Sequence, residues 1–305
     1  MAQLDYAYFP GCSAESTGIS YTESTDYICA HTGLELHEIT QWCCCGTSAA
    51  KVTDDDLMHA LPARSLAKSE EQYPGYDVVA PCTGCYAALK GTVVWARESE
   101  ENRKHVSKLI GQDYKAEANV NSLLEVMLNP DLVQEMLSKA SKSLGGMKLA
   151  CYYGCAQVRP VALCDFGDPE NPMQLENMLN EFGADCVDWA FKTECCGASN
   201  HIVTPSTSKG AVERILRNAA ANGAEALVTA CPLCWLNLDL RQPQINKKYG
   251  TDYHMPVFYF TELLALALGA SPKEAGLSHH VTPCDDYVAG KLSSRDAKKA
   301  EEVNA

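Results

Sequence analysis

The sequence predicts an α/β protein built from two β-α repeat domains with short, mostly parallel sheets. Short apolar runs alternate with stretches of helical spacing, the order that β-α-β units require. The same order starts again after the small-residue junction Ser143-Leu144-Gly145-Gly146. Cysteines fall at matching places in the two halves.

In the first half, a strand is expected over residues 4–9, ending in Pro10-Gly11-Cys12, followed by a Ser/Thr-rich helix. A strand over 34–39 leads into Trp42-Cys43-Cys44-Cys45-Gly46, then a helix over 57–70. A strand over 77–80 runs through Pro81 into Cys82-Thr83-Gly84-Cys85 and a long helix to about residue 109. Helical spacing covers 121–140, divided at Pro130. In the second half, strands are expected over 147–153, 184–189, 226–230 and 256–260, with helices over 172–182, 208–222 and 261–268 and one after Cys234. The expected domains are 1–145 and 146–278, followed by a polar, frayed tail over 279–305.

Composition narrows the classes of function. With 305 residues and 46% hydrophobic content, the chain needs no staples to build a core. A formal charge of -14 argues against nucleic acid, whose phosphates call for clustered Lys and Arg. Neither a secretory leader nor an apolar membrane span is legible, so a cytoplasmic location is expected. No G-x-G-x-x-G or G-x-x-x-x-G-K-[ST] pattern is present, so the α/β order carries no nucleotide signature. Sixteen cysteines in such a chain point to metal ligation or redox chemistry, because disulfide frameworks belong mainly to small secreted domains.

Ten of the cysteines form two ordered sets. In the first, Cys12 is followed by 31 residues, Cys44-Cys45-Gly46, then 36 residues between Cys45 and Cys82-x-x-Cys85. In the second, Cys155 is followed by 39 residues, Cys195-Cys196-Gly197, then 34 residues between Cys196 and Cys231-x-x-Cys234. A lone C-x-x-C is weak evidence, whereas two matched sets of five are strong. Each cysteine is expected where a strand stops and a turn or helix begins, the edge on which such folds place ligands. Helix N-termini there stabilise thiolates and anionic clusters. Zinc takes four ligands, which adjacent pairs plus a fifth cysteine suit poorly. The C-x-x-C-x-x-C-x-x-x-C-P run of common 4Fe–4S proteins is absent. Five ligands per set favour an unusual iron–sulfur assembly, with zinc or a structural role as the alternative.

These residues resemble the CCG family of cysteine-rich domains, and within it the B-type subunits of heterodisulfide reductases. The resemblance spans residues 8–268 and is strongest at Tyr153-Gly154-Cys155, Arg159-Pro160, Asp168-Pro169-Glu170-Asn171-Pro172, Phe182-Gly183-Ala184 and Glu194-Cys195-Cys196-Gly197. It implies pseudo-twofold-related halves, each holding a noncubane 4Fe–4S cluster beside a shared cleft. Cys12, Cys44, Cys45, Cys82 and Cys85 would hold one cluster, and Cys155, Cys195, Cys196, Cys231 and Cys234 the other. It also implies a small disulfide or thiol substrate between the clusters. The implied partners are the ferredoxin-like C-type protein and the flavin-containing A-type protein of heterodisulfide reductases. Gly46 stands where methanogen members often carry proline, which leans away from the methanogen substrate pair.

Several side chains admit two readings. Cys43 makes a run of three, so the ligand pair is Cys44-Cys45 or, one register back, Cys43-Cys44. His201 is a candidate proton donor to a departing thiolate, or a plain loop histidine. Lys192 and Arg159 offer positive charge near a cluster or form ordinary surface ion pairs. Cys151 supports the second set from behind or is simply core, as Cys29, Cys164, Cys186 and Cys284 are expected to be. Three functions compete: a redox subunit working on a thiol–disulfide couple, an electron-transfer subunit of another CCG-containing oxidoreductase (hydroxyacid, succinate/fumarate or quinone-linked), and a structural metal scaffold.

Overall fold

The computed structural model describes residues 4–295. Four strands make the first sheet: β1 (Asp5–Tyr8), β2 (Glu35–Glu38), β3 (Val78–Ala80) and β4 (Val120–Ser122). They lie in the order β2-β1-β3-β4, all parallel. After the two-residue β5 (Lys142–Ser143), the second half repeats this with β6 (Lys148–Tyr152), β7 (Asp185–Cys186), β8 (Ala226–Thr229) and β9 (Val257–Tyr259). Their order, β7-β6-β8-β9, is the same winding and again all parallel. The central strands β3 and β8 are buried along their whole length, as expected of parallel strands covered on both faces.

Three expectations need correction. The long helix after Cys82 is two helices, Thr83–Glu98 and Glu100–Ile110. Ser99 takes extended backbone and its side chain accepts from Asn102 N, capping the second helix and so ending the first. The helical spacing from residue 121 gives way at its start to strand, because residues 120–122 pair as β4. Ser122 is the N-cap of a capping box with Glu125, so the helix Leu123–Met127 starts only after it. The expected strand over 184–189 shrinks to the edge pair Asp185–Cys186.

The start of the expected tail is folded against the second half. Helix Asp285–Lys291 buries Val288, and β10 (Ser293–Ser294) pairs antiparallel with β5. His280 lies buried with both Glu262 carboxylate oxygens at 3.0 and 3.1 Å. Residues 296–305 lie outside the described residues.

The halves exchange arms across a pseudo-twofold. The arm following Cys12, helix Ile19–His31, packs on helix Phe260–Leu268 of the second half. Ser24 Oγ and Thr261 Oγ1 meet at 2.7 Å in full burial. Tyr21 stacks on Tyr259 at 4.3 Å and donates its hydroxyl to the Ala230 carbonyl at 3.3 Å. The arm following Cys155 returns the exchange: Gln157 Nε2 donates to Ser122 Oγ at 3.0 Å, and the Cys164 carbonyl accepts from Tyr86 at 3.4 Å.

Candidate functional site

All ten motif cysteines leave the carboxyl ends of strands. Cys12 follows β1 and Cys155 follows β6; Cys44-Cys45 follows β2 and Cys195-Cys196 follows β7. Cys82 is the N-cap of helix Thr83–Glu98, and Cys231 the N-cap of helix Pro232–Leu238. The two frames agree in detail. Cys45 Sγ lies 3.2 Å from Cys85 Sγ, and Cys196 Sγ lies 3.6 Å from Cys234 Sγ. Gly11 and Gly154 have φ of 75° and 67°, and a Cβ on either would come within 3.2 Å of a thiol, Cys85 Sγ or Cys234 Sγ respectively. Cys43 turns away from its set, with its Sγ 3.3 Å from the Leu61 carbonyl and 3.8 Å from Ser65 Oγ.

The thiols shift one another's ionisation. A hydrogen bond from Cys155, helped by the Gly197 amide, pulls Cys195 down to about 6 against the opposing pull of burial, and Cys155 rises in exchange. Cys85 lowers Cys45 in the same manner. Cys231 is held well below its ordinary value by Cys234 and by Cys82, while the bond to Cys231 pushes Cys82 up. Cys82 and Cys231 each stand at the positive end of a helix. Thiolates are what soft metals bind. Among the described residues, the trio close enough for a single ion is not cysteine at all but Asp5, Glu35 and His37, at most 4.8 Å apart on β1 and β2. Paired sulfurs around glycine-cleared space fit a multi-iron cluster better than one zinc ion.

The second set opens into a chamber of about 430 Å³. Cys155, Cys195, Cys196, Cys231 and Cys234 all line it. The first half supplies the rest of the wall, through Gly84, Ala88 and Gly91 of helix Thr83–Glu98 together with Lys51 and His59. The first set does not line this space; its Cys12 and Cys44 are exposed to solvent.

The other candidates fall elsewhere. His201 follows the short turn Ala198–Asn200, and its Nδ1 is buried without a partner among the described residues. It is not among the chamber's lining residues; burial, then Arg241 and Lys209, push it below the usual histidine value. Lys192 is no surface ion pair: it is 1% exposed and bonds Glu176 at 2.9 Å, which also accepts from Tyr153. Its own carbonyl accepts from the Tyr153 and Gly154 amides, so this network braces the approach to Cys155. Arg159 pairs with Glu170 at 2.6 Å at the surface. Cys151 is buried, its Sγ 3.8 Å from Cys186 Sγ. Burial pushes Cys164, a core thiol, up to about 11 and Cys29, only partly buried at the edge of the core, up to about 12. Sequence reasoning missed His59 and Lys51, which no motif marks.

A family model described as a cysteine-rich domain, CCG, matches residues 6–90 and 149–239. The chain is 32% identical over 284 residues to the 8-methylmenaquinol:fumarate reductase membrane anchor subunit of Wolinella succinogenes, covering 92% of this chain and 97% of that one. It is 31% identical over 252 residues to the B subunit of the ferredoxin/F(420)H(2)-dependent CoB-CoM heterodisulfide reductase of Methanosarcina acetivorans, covering 81% and 83% respectively. Among solved structures, a hypothetical protein from Helicobacter pylori superposes with a TM-score of 0.72 at 14% identity, over 92% of this chain and 52% of that one, a likeness of fold. No helix among the described residues is long and apolar enough to cross a membrane.

Proposed function

The chain belongs to the CCG family of cysteine-rich domains, and on that premise we propose that it is the iron–sulfur redox subunit of a heterodisulfide reductase-like complex. Its substrate is a small disulfide, or the thiols that form one. Each five-cysteine set holds a noncubane 4Fe–4S cluster: Cys12, Cys44, Cys45, Cys82 and Cys85 in one, Cys155, Cys195, Cys196, Cys231 and Cys234 in the other. The orientation of Cys43 toward Leu61 and Ser65 favours Cys44-Cys45 as the ligand pair. Such clusters supply electrons one at a time at iron, a metal that binds soft sulfur ligands. The observation that carries the proposal is the pair of matched cysteine frames, with Cys45 Sγ 3.2 Å from Cys85 Sγ and Cys196 Sγ 3.6 Å from Cys234 Sγ, beside a chamber lined by the whole second set. The chain's own residues do the rest: the halves wall off a site of small-molecule size, and the second set faces whatever binds there.

The remaining parts of the proposal concern context. The modules divide at residues 145 and 146, and the protein works in the cytoplasm. Electrons arrive from a ferredoxin-like protein of the heterodisulfide reductase C type and a flavin-containing protein of the A type. Anaerobic purification should yield about eight irons per chain with matching acid-labile sulfide, and reduced protein should convert a small disulfide to thiols. Stoichiometric zinc without sulfide would overturn the assignment. A second reading, an electron-transfer subunit of a fumarate- or quinone-linked oxidoreductase, is favoured by the 32% identity to the fumarate reductase protein. It is distinguished by electron transfer to such a partner with no thiol formed.

A further inference from the structure

Resting on the proposed disulfide chemistry, we propose that His59, and not His201, is the residue that carries protons to and from the substrate in the chamber. Cleaving R–S–S–R′ takes two electrons and two protons and yields R–SH and R′–SH. The electrons come from the reduced iron–sulfur centres and the donor protein, but the protons need a group inside the chamber. Apart from the five thiols, the ionisable residues lining it are Lys51 and His59. A lysine ammonium keeps its proton near neutrality and serves to hold an anionic substrate group; an imidazole exchanges its proton in that range.

His59 is also held as a proton carrier must be. It sits on helix Asp55–Gln72 with its ring stacked on Trp95 at 3.9 Å and an interplanar angle of 7°. Nδ1 lies 3.4 Å from the Thr92 hydroxyl, itself buried, so the ring is tied at one nitrogen. Among the described residues Nε2 has no hydrogen-bond partner, and His59 lines the chamber. The charged groups around it are Asp55 and Asp56 on its own helix, Glu98 on helix Thr83–Glu98 and His105 on helix Glu100–Ile110. Burial, with His105, outweighs the three carboxylates and keeps the ring below the usual histidine value, so the imidazolium is a ready donor. In the step, the proton passes from imidazolium Nε2 to the departing thiolate sulfur. The neutral ring then reloads from water, once for each sulfur.

The test uses anaerobically purified holo-protein with bis(2-hydroxyethyl) disulfide as probe. Diethylpyrocarbonate labelling, read by peptide mass spectrometry, should modify His59, and the probe should slow that labelling. His59→Gln should keep its iron and lower kcat by about 100-fold with KM nearly unchanged. The wild type should lose rate as pH rises, and His59→Gln should lose that dependence. Added imidazole should restore part of the rate of His59→Ala, a rescue that a purely structural residue would not give. Labelling indifferent to the probe, a His59→Gln variant with wild-type rate and pH profile, or loss of iron on substitution would each overturn the role. A wild-type protein that turns over no disulfide would bring down the proposed function and this role with it, whereas failure of the variants alone removes only the role.

Discussion

The two halves share a sheet order, a cysteine frame and even the glycines that clear it, yet they treat the helix after the C-x-x-C differently. In the first half it is the 16-residue Thr83–Glu98, long enough to roof the other half's cysteines. In the second it is the seven-residue Pro232–Leu238, which roofs nothing comparable among the described residues. Duplication thus supplied two ligand frames, and among the described residues the second of them lines a chamber roofed by the other half. The repeat preserves what a metal needs, and the departure from it makes a place for a substrate.

The same contrast runs through the glutamates at the third position of the helices after β4 and β9. Glu125 and Glu262 both accept from the backbone amide that opens their helix. Glu125 then meets Lys90 at 3.8 Å, partly open to solvent, whereas Glu262 meets His280 in full burial. Burial by itself pushes His280 down, but Glu262, with Cys284, reverses this and holds it up at about 11.

The largest expected effect tests whether the frames act together. Cys82→Ser and Cys231→Ser should each abolish disulfide turnover while the untouched cluster stays visible by electron paramagnetic resonance, and the double variant should be no worse, as for groups acting as a unit. Substantial turnover by Cys82→Ser would break the pairing and reduce the first set to a relay. Next in size is stability. His280→Ala should cost about 3 kcal/mol, because it strands a buried carboxylate, and Lys90→Ala less than about 1 kcal/mol, read from denaturant midpoints of the holo-protein. Since the folded-state value of His280 lies above its unfolded value of about 6.5, its contribution is whole below that pH and drains away as pH rises through 11. Equal costs for the two variants would show that the second half owes nothing special to its folded tail.

A smaller effect concerns the roof. Gly91 faces the chamber with room for a Cβ, the nearest atom being Leu163 Cδ2 at 4.0 Å. Gly91→Leu should raise KM for the disulfide by roughly tenfold through lost volume, with iron content unchanged. An unaltered KM would mean that the substrate lies elsewhere. The smallest effect is set by register: Cys43→Ser should keep its cluster and its rate, whereas Cys45→Ser should lose the cluster, compared by iron content and absorption.

Much of this is legible in the chain itself. The α/β order is visible because short β-branched and aromatic runs stop at Pro, Gly or Cys, and the cysteine sets because their spacing repeats. Other features require through-space neighbours. Lys192 reads as a surface cation because nothing local announces that Glu176, sixteen positions earlier, will share its burial. Two misses had a signal: Ser122-Leu123-Leu124-Glu125 is a capping box that ends β4, and Ser99 followed by Glu100-Glu101 is a helix start. The tail hides its anchor because His280 looks polar until Glu262 is placed beside it. The chamber itself has no signature, since it arises between a helix of one half and the loops of the other.

The crossed arms bear on the history of the gene. Tyr21 lies in the first repeat but completes the aromatic column of Tyr259 and Trp235 in the second, and its hydroxyl holds Ala230, the residue before Cys231. A repeat released from its sibling would present that column to water as a sticky face and lose the brace on its ligand loop. With the arms crossed, neither copy completes its packing alone, so a substitution at Tyr21 in the first is felt at the ligand loop of the second.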